Sequence, residues 1–211
     1  RGGGISQRTG WKPVIQNVNW PGLFQGAFMY HPDFADPHIV LAIGGTLYAA
    51  RVDTDNSVEN LSSLGAGLTM PPAEPQAFFA QAEQFLIWQC GDLVTNPIFY
   101  WRDGSGNPNI RRSAGFIGVA NAGNEIPAAG PMDYHMNRLW YAFGRRYCAG
   151  DIVSNQASGT AAFLYKDSVL KVTENPVAKA GDGFNTPSST GNIRALKHTS
   201  ALITALANKD H

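Results

Sequence analysis

The chain has 211 residues, of which 44% are hydrophobic and only 15% are charged. Its 16 basic and 16 acidic residues give a formal net charge of zero at neutral pH. This balance argues against a protein that holds nucleic acid or an acidic membrane through an electropositive surface, because such binding needs basic groups that displace counterions. The 23 glycines and 13 prolines are typical of a chain with many short strands and frequent turns.

Residues 1–21 (RGGGISQRTGWKPVIQNVNWP) predict a Gly-rich, extended N-terminal arm, which Trp11 and Trp20 are expected to pin onto the first β-unit. The sequence starts without an initiator Met and ends just after an apolar run, so we expect a fragment of a longer protein. No apolar run approaches the ~20 residues of a membrane-spanning helix, and no signal peptide is visible.

One strand pattern recurs three times in residues 22–154. Each copy has an approach strand, an apolar central strand, a Gly-containing corner and a return strand. The central strands begin near Ile39, Phe85 and Leu139, which gives a period of about 45 to 55 residues, in the range of blade-type repeats. We therefore predict an all-β fold of three β-propeller-like blades, each an antiparallel meander that buries its faces against its neighbours.

Turn residues predict how these strands are joined. The three corners are expected at Gly44-Gly45, Gly91-Asp92 and Gly144 to Arg146, and Asn137-Arg138 is expected to turn the chain into the third central strand. Residues 104–109 (GSGNPN) predict an exposed turn. Residues 61–72 predict the link between the first two blades.

Residues 155–211 depart from the repeat and are interpreted as a long-loop segment followed by the start of a further blade. The polar tract Gly181 to Gly191 (GDGFNTPSSTG) predicts a long loop. Ile193, Leu196 and Ser200 have helical spacing, whereas residues 201–207 (ALITALA) fit a strand. The repeat of strand units favours a strand here, as the first strand of a further blade.

Two stretches carry metal-ligating residue types. One is His31, Asp33, Asp36 and His38, whose imidazoles and carboxylates are ligand groups. Two prolines indicate a stiff loop there, and no further ligand follows at a spacing that would complete the site. The other stretch, residues 53–56 (DTDN), resembles the opening of a calcium loop but lacks the required glycine and glutamate at the sixth and twelfth positions.

Catalytic patterns are weaker still. There is no G-x-S-x-G elbow, and Ser200 lies near His198 without an evident acid partner. Residues 101–104 loosely resemble the corners of sialidase-type propellers, but the other repeats do not reproduce this pattern. Cys90 and Cys148 fit neither a disulfide framework nor a zinc site and are expected to be small buried residues.

The strand aromatics have two interpretations. They could stack on sugars, but at strand positions in a repeat they are more typical of packing inside and between blades. These residues are Trp88, Tyr100, Trp101, Trp140 and Tyr141. We therefore predict no enzyme activity and no catalytic, cofactor-binding or metal-binding residues.

Two segments resemble a known family. Residues 4–10 (GISQRTG), followed after a spacer by residues 43–48 (IGGTLY), resemble the first propeller blade of the tail-nozzle proteins of short-tailed bacteriophages. These are also called packaged-DNA stabilisation or tail tubular proteins. Residues 130–151 are similar to a later blade of that family. There Arg138-Leu139-Trp140 matches the family motif, whereas Gly150-Asp151 stands where Ser-Asp is more usual.

The resemblance implies a virion structural protein, a tail-nozzle component of the DNA-exit channel that helps to retain and deliver packaged DNA. The implied partners are copies of itself in a ring and other tail or portal-adaptor proteins, with DNA only as channel contents. The implied location is the virion, after assembly in the host cytoplasm, and no cofactor is implied. The alternative is a carbohydrate-binding or carbohydrate-cleaving β-propeller whose exposed aromatics line a cleft.

Overall fold

The structure, a computed structural model, describes residues 20–51, 57–118, 121, 123–153, 167–173, 184–199 and 202–207. Within these ranges the chain forms β-strands and short 3-10 turns without an α-helix, so the all-β prediction is confirmed. The described ranges also contain no helix with the length and apolarity of a membrane span. Trp11, the candidate calcium loop at 53–56 and Ser200 lie outside the described residues.

The first sheet is an antiparallel meander of four strands, β1 (Phe24–Tyr30), β2 (His38–Ile43), β3 (Thr46–Ala50) and β4 (Val58–Asn60). The predicted corner joins β2 to β3, and both of its glycines have positive φ, 56° at Gly44 and 77° at Gly45. Glycine reaches this left-handed region without a steric penalty. A 3-10 turn (Leu61–Leu64) follows β4, and Trp20 packs edge-on against Tyr48 of β3 with 5.0 Å between ring centroids.

The second sheet repeats the meander with β5 (Phe78–Ala82), β6 (Phe85–Gln89), β7 (Ile98–Arg102) and β8 (Pro108–Arg112). The prediction of an exposed turn over residues 104–109 is partly wrong, because Pro108 and Asn109 belong to β8. Pro108 lies at the first position of an edge strand, where a missing backbone N–H does not break the sheet.

The third sheet has the order β12-β11-β10-β9, with β9 (Met132–His135), β10 (Arg138–Phe143), β11 (Arg146–Ala149) and β12 (Phe184–Asn185). The predicted turn at Asn137-Arg138 is wrong by one residue. Met136 and Asn137 have the positive φ values, 51° and 60°, and Arg138 opens β10. Likewise Arg146, predicted as part of a corner, opens β11.

The predicted loop over Gly181 to Gly191 is also wrong where it is described, because it contains β12 and a 3-10 turn (Ser188–Thr190). Beyond it, β13 (Ile193–Thr199) and β14 (Leu202–Ala207) form an antiparallel hairpin. The strand prediction is confirmed for residues 202–207, and Ile193 and Leu196, which also have helical spacing, lie in a strand as well.

The second sheet is buried on both faces. On β6, Leu86 and Trp88 enter one core cluster with the first sheet, while Phe85 and Ile87 enter another with the third sheet. All five residues of β6 are buried. A continuous apolar strand between two sheets gains free energy from transfer of both of its faces out of water.

Among the described strands, extensive backbone contacts between successive sheets are made mainly by the first strand of each. β1 contacts β5, β5 contacts β9, and β9 contacts β13. The hairpin packs on the far face of the third sheet, where Ala142 meets Ile193 and Leu196. The four first strands therefore lie side by side along one edge of the stack.

Cysteines and aromatics occupy this packing as predicted. Cys90 and Cys148 are buried and form no disulfide bond, which confirms their prediction as small buried residues. The side chains of Trp88, Tyr100 and Tyr141 are at most 1% exposed, so their prediction as packing residues is confirmed.

Candidate functional site

A cavity of about 400 Å³ lies where the four first strands meet. Every strand in that row contributes to its wall. Its lining includes Phe28 of β1, Phe79 and Gln81 of β5, Asp133 of β9, and Lys197 and His198 of β13. Apolar rings therefore line one side, and the charged groups come from β9 and β13.

Asp133 is the centre of the polar side. Its Oδ2 atom accepts a hydrogen bond from the backbone N–H of His198 at 2.5 Å and lies 2.8 Å from His198 Nδ1. Its Oδ1 atom lies 3.4 Å from Lys197 Nζ. Only 11% of the Asp133 side chain is exposed, so a charge at this depth needs these donors.

His135 completes the group, which we name the Asp133 cluster: Asp133, His135, Lys197 and His198. The rings of His135 and His198 are stacked, with centroids 4.8 Å apart and planes 7° apart. His135 Nε2 is buried and has no hydrogen-bond partner among the described residues. The β10 side chain of Trp140 donates to the backbone carbonyl of His135 at 3.2 Å, which fixes the strand beneath the stack.

Strand alternation explains this arrangement. Asp133 and His135 are two residues apart on β9, so both point toward the hairpin. Met132 and Tyr134 point the other way and pack into the core shared with the second sheet. There the Tyr134 hydroxyl donates to Glu83 Oε1, and burial together with this bond raises the pKa of Tyr134 above its ordinary value.

The cluster has the parts of an acid–base dyad. A carboxylate on Nδ1–H leaves Nε2 of His198 as an acceptor, which is the tautomer of a general base. However, Asp133 also accepts from the backbone of β13, so its carboxylate joins the third sheet to the hairpin. Both of its oxygens are engaged by β13, and the arrangement is that of a structural joint.

Sequence reasoning missed Asp133 as the acid partner of His198. The two residues are 65 positions apart, and no local pattern connects them. The available signal is the alternation of polar Asp133 and His135 with apolar neighbours on β9, which places them on one face of a strand.

The structure does not bring the candidate metal ligands His31, Asp33, Asp36 and His38 together. His38 is buried beside the core that the first and second sheets share, where Nδ1 donates to the Asp36 carbonyl at 2.9 Å and Nε2 accepts from the Tyr100 hydroxyl at 3.0 Å. Burial holds the pKa of His38 below its ordinary value. Within the described ranges no group of three or more His, Cys, Asp or Glu side chains is placed to hold a metal ion.

The residues that loosely resemble a sialidase-type corner, Trp101 to Gly104, make structural contacts. Arg102 is 3% exposed, and its Nη2 atom donates to Glu59 Oε2 of β4 at 2.7 Å. Asp103 caps the following turn by accepting from the backbone N–H groups of Ser105 and Asn107. The guanidinium therefore joins two sheets and is not presented to a substrate carboxylate.

No family model matches the sequence, and neither the curated proteins nor the solved structures include a significant match.

Proposed function

We propose that this chain is a structural, non-enzymatic β-propeller segment that serves in the tail nozzle of a short-tailed bacteriophage, as part of a ring of identical copies. The observation that carries this proposal is the row of first strands, in which β1, β5, β9 and β13 are successive neighbours. Blades around an axis have their innermost strands adjacent in this way.

The burial of the second sheet supports the same arrangement. A two-sheet sandwich buries one face of each sheet, whereas a blade between two neighbours buries both faces. Phe85 and Leu86 are adjacent on β6, are 1% and 0% exposed, and belong to different cores. Repetition of such a unit makes a scaffold.

A structural and non-catalytic role is supported by the polar side chains, because they are engaged by other groups of the protein. The carboxylate of Asp133 is engaged by β13, and Arg102 is paired with Glu59. Most strand aromatics that were considered for sugar binding lie in the cores. Among the described residues, these polar and aromatic side chains are therefore engaged in pairing or packing and are not presented to a substrate.

The nozzle proposal draws on the resembling motifs and on charge. Arg138, the first residue of the Arg-Leu-Trp motif, donates through Nη1 to the Gly150 carbonyl at 2.7 Å, so this motif and the Gly150-Asp151 end of the resembling segment 130–151 are in contact. A net charge of zero suits a conduit for DNA, because tight binding to phosphates would oppose release.

The test is assembly of the purified chain. Light scattering coupled to size exclusion should give a mass of several copies, and electron micrographs should show closed rings with a central opening. A monodisperse monomer at high concentration, or open and irregular aggregates, would contradict the ring. Retention of a short duplex DNA at physiological salt would contradict the conduit role.

A further inference from the structure

Within the described ranges, only one face of the first sheet packs against another sheet. Tyr30, Val40 and Leu47 point from that face into the core shared with the second sheet. Strand alternation and the pairing of β1 to β4 place the intervening side chains on the opposite face. We name it the head face; its residues are Phe24, Ala27 and Met29 on β1, Ile39, Leu41 and Ile43 on β2, Thr46, Tyr48 and Ala50 on β3, and Val58 and Asn60 on β4.

The head face is mostly apolar, and none of its positions holds a charged residue. Ala27, Leu41 and Tyr48 are paired across three strands and form one apolar row. At the β1 edge, Phe24 is 59% exposed and Met29 is 50% exposed. Arrays of repeated units stay soluble when their terminal units present a polar outer face. An array that ends in an apolar face instead has an interaction surface there.

The other end of the row of sheets is the hairpin β13–β14. Leu196 and His198 of β13 face the third sheet, so alternation turns Ala195 and Lys197 to the outer side, which we name the tail face. Lys197 is 68% exposed, and Arg194 beside it is exposed as well. Long basic side chains cover apolar surface with their alkyl stems and keep their charged ends at the rim of a contact. The tail face can therefore cover an apolar sheet.

The rim of the head face is acidic. Asp33 and Asp36 are exposed in the turn between β1 and β2. They are complementary in charge to Arg194 and Lys197 of the tail face, and such complementarity selects one partner surface over others. A second head face would bring no cation on its strands to these carboxylates. The occupant that best fits the head face is therefore a tail face.

We propose that the head face of one copy packs on the tail face of another copy, in a head-to-tail contact that links copies of this chain. Two different surfaces make a heterologous contact, which closes into a ring where the rotation between copies allows it. The proposal rests on the proposed ring of identical copies and names the two surfaces that build it.

Light scattering coupled to size exclusion, on dilution of the intact chain, tests the two surfaces separately. Met29→Glu places a charge on the head face, and Ala195→Glu places one on the tail face without touching the Asp133 contact. Each should raise the concentration for half-assembly about tenfold or more, because the contact would bury an unpaired charge. The control Val94→Glu, at an 82% exposed position on the loop between β6 and β7, should assemble like the unmodified chain.

Mixing the two variants tests the head-to-tail direction. Met29→Glu keeps an intact tail face and Ala195→Glu keeps an intact head face, so an equimolar mixture should form pairs that stop at two copies. Each variant alone should stay monomeric at the same concentration. If circular dichroism shows that either variant is unfolded, Ala27→Glu on the head face and Lys197→Glu on the tail face replace them.

The remaining outcomes separate this contact from the ring. Assembly of Ala195→Glu alone, with loss in Met29→Glu, would show that head faces pair with each other and would overturn the proposal. Rings that form unchanged in both variants would overturn the contact and leave the ring. Open chains that both variants disrupt would support the contact and contradict the ring, and a monomeric unmodified chain would overturn both.

Discussion

Single charged side chains connect neighbouring parts of the stack through buried or half-buried contacts. Arg102 pairs with Glu59 across the first two sheets. Arg111 of β8 makes two hydrogen bonds to Glu125, at 2.7 and 2.8 Å, next to the connector that leads to the third sheet. Two-pronged pairs of this kind fix geometry as well as contribute energy. These two ion pairs therefore lie at places where strands and connectors are joined.

Glu125 gives a pH-dependent prediction at this scale. Burial alone would raise the pKa of Glu125, but hydrogen bonds from Arg111 and the Ala114 amide, with the Arg111 charge, hold it below its ordinary value of 4.5. A depressed carboxyl pKa contributes stability that is present above the ordinary value and is lost as pH falls through the folded value.

The free energy of unfolding from urea titrations should therefore decrease below about pH 4.5. Glu125→Gln should be less stable at neutral pH and should show a shallower acid decrease. The control Glu74→Gln keeps the Arg111 pair and should retain the full decrease. An unchanged pH profile in Glu125→Gln would refute this role.

The corner of the first sheet gives a second prediction for a single residue. Gly45 has a φ of 77°, and a Cβ built there would lie 2.1 Å from the Met70 carbonyl oxygen. We expect Gly45→Ala to destabilise the protein by about 1–3 kcal/mol or more, because positive φ and the close approach both oppose a side chain.

The matched control is Gly104→Ala, where a new Cβ would meet nothing within 4 Å. Thermal unfolding should separate the two variants clearly. Equal melting temperatures for Gly45→Ala and Gly104→Ala would contradict the prediction, because the corner would then accommodate a side chain without loss of stability.

At the scale of elements, apolar strands with glycine corners could be predicted from the sequence, and polar edge strands could not. β2, β6 and β10 appear as apolar runs, and their predicted starts agree with the structure within one residue. No residue of the outer strands β4, β8 and β12 is buried. These strands are defined by backbone hydrogen bonds to the neighbouring strand, and no hydrophobic pattern in the sequence marks them. The Asp133 cluster could not be predicted from the sequence either, because it forms only where β9 and β13 become neighbours in the fold.

The two-sided burial of β6 predicts equal sensitivity on its two faces. Leu86 faces the first sheet and Ile87 the third, and both are 0% exposed. Leu86→Ala and Ile87→Ala should each destabilise the chain by about 2–5 kcal/mol, through lost burial and the cavities left behind.

Val94→Ala is the control, because Val94 is 82% exposed and its truncation should change the urea midpoint little. A strong effect at only one of the two β6 positions would show that one face of the second sheet is not part of a core.

At the scale of the whole molecule, the proposed propeller requires that the sheets spread outward from a common edge. First strands of successive sheets are in contact, and each four-stranded sheet extends three strand spacings of about 4.8 Å away from that edge. Sheets that radiate must separate toward their outer strands, whereas sheets in a parallel stack keep a constant distance. The separation between the first and third sheets distinguishes these arrangements.

Pulsed electron paramagnetic resonance measures this separation most directly. One spin-label pair is placed near the inner strands at Met29 and Met136, and a second pair on the outer strands at Asn60 and Asn185, all at exposed positions. The outer pair should be farther apart than the inner pair by more than about 10 Å, since three strand spacings on each sheet diverge. Equal distances for the two pairs would contradict the radial arrangement and with it the proposed propeller.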